Sequence, residues 1–181
     1  MLRSPDDLVP PGAPDDLRRF VAYWIDRAAG RLMPAFADID PVDIRWSLSR
    51  VYVVRVVDGG ADFVYRLAGE AINLRYQGSI AGKRVSDLLE AGSAAEVIGR
   101  WRRVIETPAA YFVDSEHPTS SGLRIRGLRV ALPLGPAGGP ADHIIGLTVF
   151  EARSEAGGAV ISGAETHDVR WVELRAPDEA S

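Results

Sequence analysis

Residues 51–57 read VYVVRVV and are apolar on both parities. Tyr52, Val54 and Val56 share one side of a strand; Val51, Val53 and Val57 share the other. Strand side chains alternate between faces. A sheet built on this strand therefore cannot leave either face in water. Helices inserted between strands can cover one face, and something else must cover the second. An N-terminal amphipathic helix or a partner subunit is the cover the sequence offers.

That helix is easy to place. Pro14 suits a first helical turn, and Asp15 and Asp16 favour its positive end. Leu17, Phe20, Val21, Trp24, Ile25 and Ala28 then recur at spacings of three and four until Gly30. Phe20 and Trp24 are the expected dimer or partner face. A strand over residues 50–57 and the turn DGG (Asp58–Gly60) lead to a returning strand, Asp62–Gly69, with Phe63, Tyr65 and Leu67 on one face. Short helices are expected near 70–76 and 85–90. A longer helix over Ser93–Thr107 has Ser93 and Glu96 spaced as a capping box. Three strands follow, over 109–115, 123–134 and 143–153. In the middle one, Leu123 and Ile125 are odd while Leu128, Val130 and Leu132 are even. A bulge at Gly127 would absorb that slip and would point Arg124, Arg126 and Arg129 away from the core as a solvated row. Asp168–Ala176 is a last strand or arm. Strands on both sides of a helical block make an α+β fold with an antiparallel sheet and helices on one face.

The 181 residues fit one domain. The expected division is a flexible leader (1–14), a helical cap (15–48), the sheet domain (49–153) and a C-terminal extension (154–181). A net charge of -4 gives no general attraction to nucleic acid or an anionic membrane. The absence of cysteine removes disulfides, thiolate metal sites and flavin–cysteine photochemistry. No secretory h-region appears, and no stretch approaches the ~20 apolar residues of a spanning helix. A cytoplasmic location is expected.

AFADIDPVDI (Ala35–Ile44) carries three aspartates within six positions. Counted from Asp38 as a calcium loop, positions 5, 6 and 12 are Val42, Asp43 and Ser49, which fails the ligand pattern. No buried apolar strand precedes the aspartates, so a phosphoryl-transfer motif lacks its context. The spacing fits a helix start instead. Asp40 is an N-cap, Pro41 the first position and Asp43 the third of a helix over 41–48, with Ile39 and Ile44 as a staple. Asp38 is left to a salt bridge or a turn. His117, His143 and His167 are far apart in sequence and form no metal set. No G-x-G-x-x-G or Walker loop occurs. GRWRRV (Gly99–Val104) interleaves an aromatic with basic residues, but helical spacing turns Trp101 and Val104 inward. An enzyme on a related curved-sheet fold would need a convergent acid–base pair, for which Asp114, Glu116 and His117 are the nearby candidates.

The element order and two segments carry a resemblance. FVYRLAGEAINLRYQGSIAGKRVSDLL (Phe63–Leu89) and YWIDRAAGRLMPAFADIDPVDIRWSLSRVYVV (Tyr23–Val54) are similar to the PAS domain family. Within it they resemble small bacterial single-domain proteins with a YW…LP…DIDP pattern. The likeness spans Leu17–Arg153; it departs at Leu32-Met33-Pro34 and at Arg45, where the family often has LP and proline. It implies a five-stranded antiparallel sheet, helices on one face, an extra N-terminal helix and no attached effector. It also implies a non-catalytic bacterial sensor or interaction module, binding a small molecule, a signalling protein or both, with a homodimer as the expected assembly. A haem site would place a histidine near the longer helix, which has none; no haem, covalent flavin or metal is expected. A ligand cavity would lie between sheet and helices, with Tyr65, Asn73, Arg75 and Tyr76 as polar lining and Trp101 and Ile105 as apolar wall. A core filled by its own side chains is the alternative.

Overall fold

A computed structural model of the chain describes residues 4–76, 78–118, 124–150 and 165–175. Five α-helices and six strands alternate with short 3-10 turns among the described residues. In chain order these are α1 (Pro5–Leu8), α2 (Asp15–Ala28), β1 (Val51–Val57), β2 (Asp62–Ala68), α3 (Glu70–Asn73), α4 (Val85–Leu88), α5 (Ala91–Glu106), β3 (Ala109–Pro118), β4 (Arg124–Leu134), β5 (His143–Phe150) and β6 (Glu165–Glu173). The strands form one antiparallel sheet in the order β2-β1-β5-β4-β3-β6. The expected five strands are six, because residues 165–173 pair with β3 and widen the sheet.

Both faces are buried, by different means. On the inner face Tyr52, Val54, Phe63, Tyr65, Tyr111, Val113, Ala131 and Ile144 pack against Ile72, Val85, Ala94, Trp101 and Val104 from the central helical block. On the outer face Val51, Val53, Phe112, Val130, Leu132, Ile145 and Leu147 pack against Leu17, Phe20, Val21 and Trp24 of α2. The chain thus supplies its own second cover. Phe20 and Trp24 are 0% and 1% exposed, so these side chains have no surface left for the partner face expected of them. The indole Nε1 of Trp24 donates to the Pro133 carbonyl at 3.0 Å, which pins α2 across β4. Helix α2 ends where Ala29 and then Gly30 take up left-handed backbone, a conformation common just past a helix C-terminus.

Local expectations are corrected in five places. The leader is structured from Ser4, and Leu8 and Val9 are buried in the outer core. The helix expected over 41–48 is a run of turns, followed by a 3-10 turn at Leu48–Arg50. Helix α5 begins at Ala91, after Glu90, so Ser93 caps nothing; Glu96 pairs with Arg100 one turn on. The bulge expected at Gly127 is absent, because β4 runs in unbroken register with both β3 and β5. The register instead shifts between β1 and β2, where Val53 faces Leu67 and Val54 faces Tyr65. Leu67 consequently leaves the Phe63–Tyr65 face and is 38% exposed.

Candidate functional site

Unbroken alternation along β4 settles which side chains face inward. Arg126, Leu128, Val130 and Leu132 fall on the outer face; Gly127, Arg129 and Ala131 fall on the inner one. The expectation that Arg129 stands in a solvated arginine row is therefore wrong. Arg126 does lie outside, exposed, in a two-point pair with Asp114 at 2.9 and 2.5 Å. The side chain of Arg124 lies outside the described residues.

Arg129 faces a cavity of about 50 Å³ between the sheet and the helical block. Its walls are Tyr52, Tyr65, Ile72, Arg75, Tyr76, Trp101, Arg129, Thr148 and Phe150. Of the residues expected there, Tyr65, Arg75, Tyr76 and Trp101 are present. Asn73 is engaged elsewhere. Its amide donates to the Ala68 carbonyl at 2.9 Å and accepts from the Ile80 N–H at 3.2 Å, which ties the 73–80 loop to the end of β2. Ile105 packs near Gly60, sealing the hairpin turn against α5.

Aromatic packing sets the shape of the wall. Trp101 stacks on Tyr52 with ring centroids 5.7 Å apart and meets Tyr65 edge-on at 6.0 Å. Both are favoured arrangements of ring quadrupoles. Gly146 and Gly127, also on the inner face, leave room for rings. Tyr52 lies across Gly146, and the Phe150 ring sits 3.4 Å from where a Gly127 Cβ would be. Gly127 thus has a packing role rather than a bulge role.

The two arginines of the wall come from different layers. Arg129 stands on β4, and its Nε donates to Thr148 Oγ1 at 3.2 Å. Arg75 lies in the 3-10 turn after α3, and its guanidinium is 4.8 Å from the centre of the Phe150 ring. The Arg75 Nε is buried without a hydrogen-bond partner among the described residues. Burial lowers the Arg75 pKa from its ordinary value. For Arg129 burial pulls the same way, and the pKa is raised only through attraction to Tyr52, Tyr76, Tyr65 and Tyr111, which acts in alkali where a phenol is ionised and not near neutral pH. Burial pushes the phenols of Tyr52 and Tyr65 upward, so both are neutral near physiological pH.

The aspartates of AFADIDPVDI have separate partners. Asp38 accepts from Arg31 Nη2 at 2.6 Å and from the Ala35 N–H at 2.8 Å, closing the 3-10 turn Phe36–Asp38. Asp40 accepts from the Val42 N–H at 2.8 Å, a cap of a turn instead of a helix. Asp43 lies 3.7 Å from Arg27 Nη2. The acid–base candidates also diverge. Asp114 is held by Arg126 on the outer face, Glu116 is 3.8 Å from His167, and the side chain of His117 lies outside the described residues. A larger outer groove of about 550 Å³ runs beside Asp114 under Pro10–Pro14, where Asp114 and Arg126 already answer each other. His143 stacks on Phe36 at 4.8 Å and meets Asp142 at 2.8 Å. Among the described residues, no three histidine or acidic side chains converge as a metal site, and no helix is long and apolar enough to cross a membrane.

The sequence model of a family described as PAS domain matches residues 13–149. No curated protein matches the chain. Similar solved structures include VqmA bound to DPO, at 18% identity and a TM-score of 0.48, covering 60% of this chain and 54% of that one. A Vibrio cholerae VqmA dimer in the absence of target DNA gives 18% and 0.47, covering 61% and 52%. A Vibrio cholerae VqmA–ligand–DNA complex gives 18% and 0.48, covering 62% and 51%. The chain spans about half the length of these structures.

Proposed function

The chain belongs to the PAS domain family, and from that membership we propose that it is a sensory or interaction module that binds a small molecule between its sheet and its helices. The observation that carries this reading is the cavity beneath Trp101, one of whose walls is Arg75, with an Nε that has no hydrogen-bond partner among the described residues. A buried polar group without a partner is costly, and the Arg75 Nε is one. Aromatic walls with a few polar groups are the usual make-up of a small-molecule site. The role is non-catalytic in this reading, since Asp114 and Glu116 are engaged outside the cavity. The output is a change in contacts with a signalling protein or a second copy of the chain.

Native mass spectrometry of the purified full chain tests this. The expected result is a noncovalent adduct that is lost on denaturation and absent from Thr148→Trp, which fills the cavity. An adduct retained by that variant would place the molecule elsewhere. No adduct, together with no compound that raises the melting temperature of the wild-type chain by mass action, would overturn the reading.

A further inference from the structure

The cavity holds positive charge that the described residues do not answer. Elsewhere several arginines are paired with carboxylates: Arg31 with Asp38, Arg50 with Asp16, Arg84 with Asp58 and Arg126 with Asp114. These pairs lie at or near the surface, where a counter-ion is worth least. Arg129 and Arg75, turned into the protein, have no carboxylate partner among the described residues. Arg129 has the Thr148 hydroxyl, and Arg75 has the face of Phe150. The Tyr52 and Tyr65 phenols cannot stand in as anions, because burial holds both in their neutral forms. A half-buried guanidinium without a counter-charge is an attractor for one.

Geometry narrows the class. Guanidinium groups offer planar forks that match the two oxygens of a carboxylate. The space of about 50 Å³ has room for about four water-sized groups. The remaining walls are aromatic rings, suited to a short apolar body. We propose that the cavity binds a small organic carboxylate, its two oxygens held by Arg129 and Arg75 and its short remainder seated among Tyr52, Tyr65, Trp101 and Phe150. This rests on the reading of the cavity as the sensory site. Arg129 stands on the sheet and Arg75 on the helical side, so the carboxylate bridges the two layers and couples occupancy to the helical block.

Isothermal titration calorimetry of the full chain at low ionic strength tests the proposal. The probes are acetate, propionate, pyruvate and benzoate, with propionamide and benzamide as uncharged counterparts and inorganic phosphate as a tetrahedral anion. At least one carboxylate is expected to bind saturably at one site per chain, about tenfold or more tighter than its amide, the loss expected for a charge-assisted hydrogen bond. Arg129→Met is expected to weaken that binding by a similar factor, with circular dichroism reporting its fold. Arg75→Gln, at a part-exposed position, gives a second reading should R129M fail to fold. Amides that bind as well as carboxylates would overturn the anion proposal while leaving a small-molecule site standing. Phosphate binding in preference to every carboxylate, unchanged affinity in a folded variant, or no carboxylate binding would each overturn it. The sensory reading falls with it only if the native adduct is also missing and no compound raises the melting temperature.

Discussion

At the scale of single residues, two side chains of one strand show how alternation assigns different chemistry. Arg126 and Arg129 are three positions apart on β4, an odd spacing, so they stand on opposite faces. One neutralises Asp114 in water, and the other is carried under the helices. Glycines are the second residue-level device. Gly146 has no side chain because the Tyr52 ring occupies the place a Cβ would take. Gly146→Ala should therefore destabilise the fold by about 1–3 kcal/mol through overpacking. Relief of that overlap displaces Tyr52 toward the cavity, so ligand affinity should fall as well. Urea unfolding and calorimetry on the same variant check both effects; wild-type stability with full affinity would show that the ring has room to spare.

At the scale of elements, α2 acts as a lid on the outer face. Its amphipathic stripe covers a row of β-branched and leucine side chains that water would otherwise meet. Trp24 gives this lid a fixed position through its hydrogen bond to the Pro133 carbonyl. Trp24→Phe keeps most of the buried area but leaves that carbonyl without its donor, a loss of about 1–3 kcal/mol. Trp24→Ala adds a cavity and should cost about 3–5 kcal/mol. Equilibrium urea denaturation orders the two variants, and equal losses would show that the hydrogen bond adds nothing beyond packing. On the opposite side of the sheet, β6 covers the edge of β3. Its Trp171 rests against Tyr111 at 5.2 Å and under the Arg103 guanidinium at 4.3 Å. β3 is thereby an interior strand, and the edge of the sheet passes to β6.

At the scale of the whole molecule, acid should loosen the fold at identifiable points. The Arg31 hydrogen bond, followed by the Ala35 N–H, holds the Asp38 carboxyl below its ordinary pKa. The Arg126 hydrogen bond lowers that of Asp114, against the opposing effect of burial. A carboxylate whose folded pKa is depressed adds stability above its unfolded value of about 3.9, and that stability is lost as pH falls through the folded pKa. Melting temperature should therefore drop below about pH 4. Asp38→Asn should lie below wild type at neutral pH, and the gap should close in acid. Melting curves across that range check the closure; a gap that persists at the lowest pH would assign the loss to geometry rather than charge.

The sequence by itself determined the element order, the amphipathic helix and the need for two covered faces, because these follow from local periodicity and from the burial that a strand apolar on both parities demands; the family came from the resemblance of Tyr23–Val54 and Phe63–Leu89 to a known pattern. Of the six residues that the resemblance set around a cavity, Tyr65, Arg75, Tyr76 and Trp101 line it, whereas Asn73 and Ile105 do not. Tertiary structure decided what local pattern leaves open. The mixed parity of Leu123–Leu132 reads as a slip in one strand, yet its register is fixed by the neighbours β3 and β5, which pair without a shift. That pairing turned Arg129 inward and brought Thr148 and Phe150 to the same wall. Likewise Phe20 and Trp24 read alike as a partner face or as a cover for the sheet. Only the docking of α2 on its own outer face, where burial of its stripe is intramolecular and needs no second chain, distinguished the two.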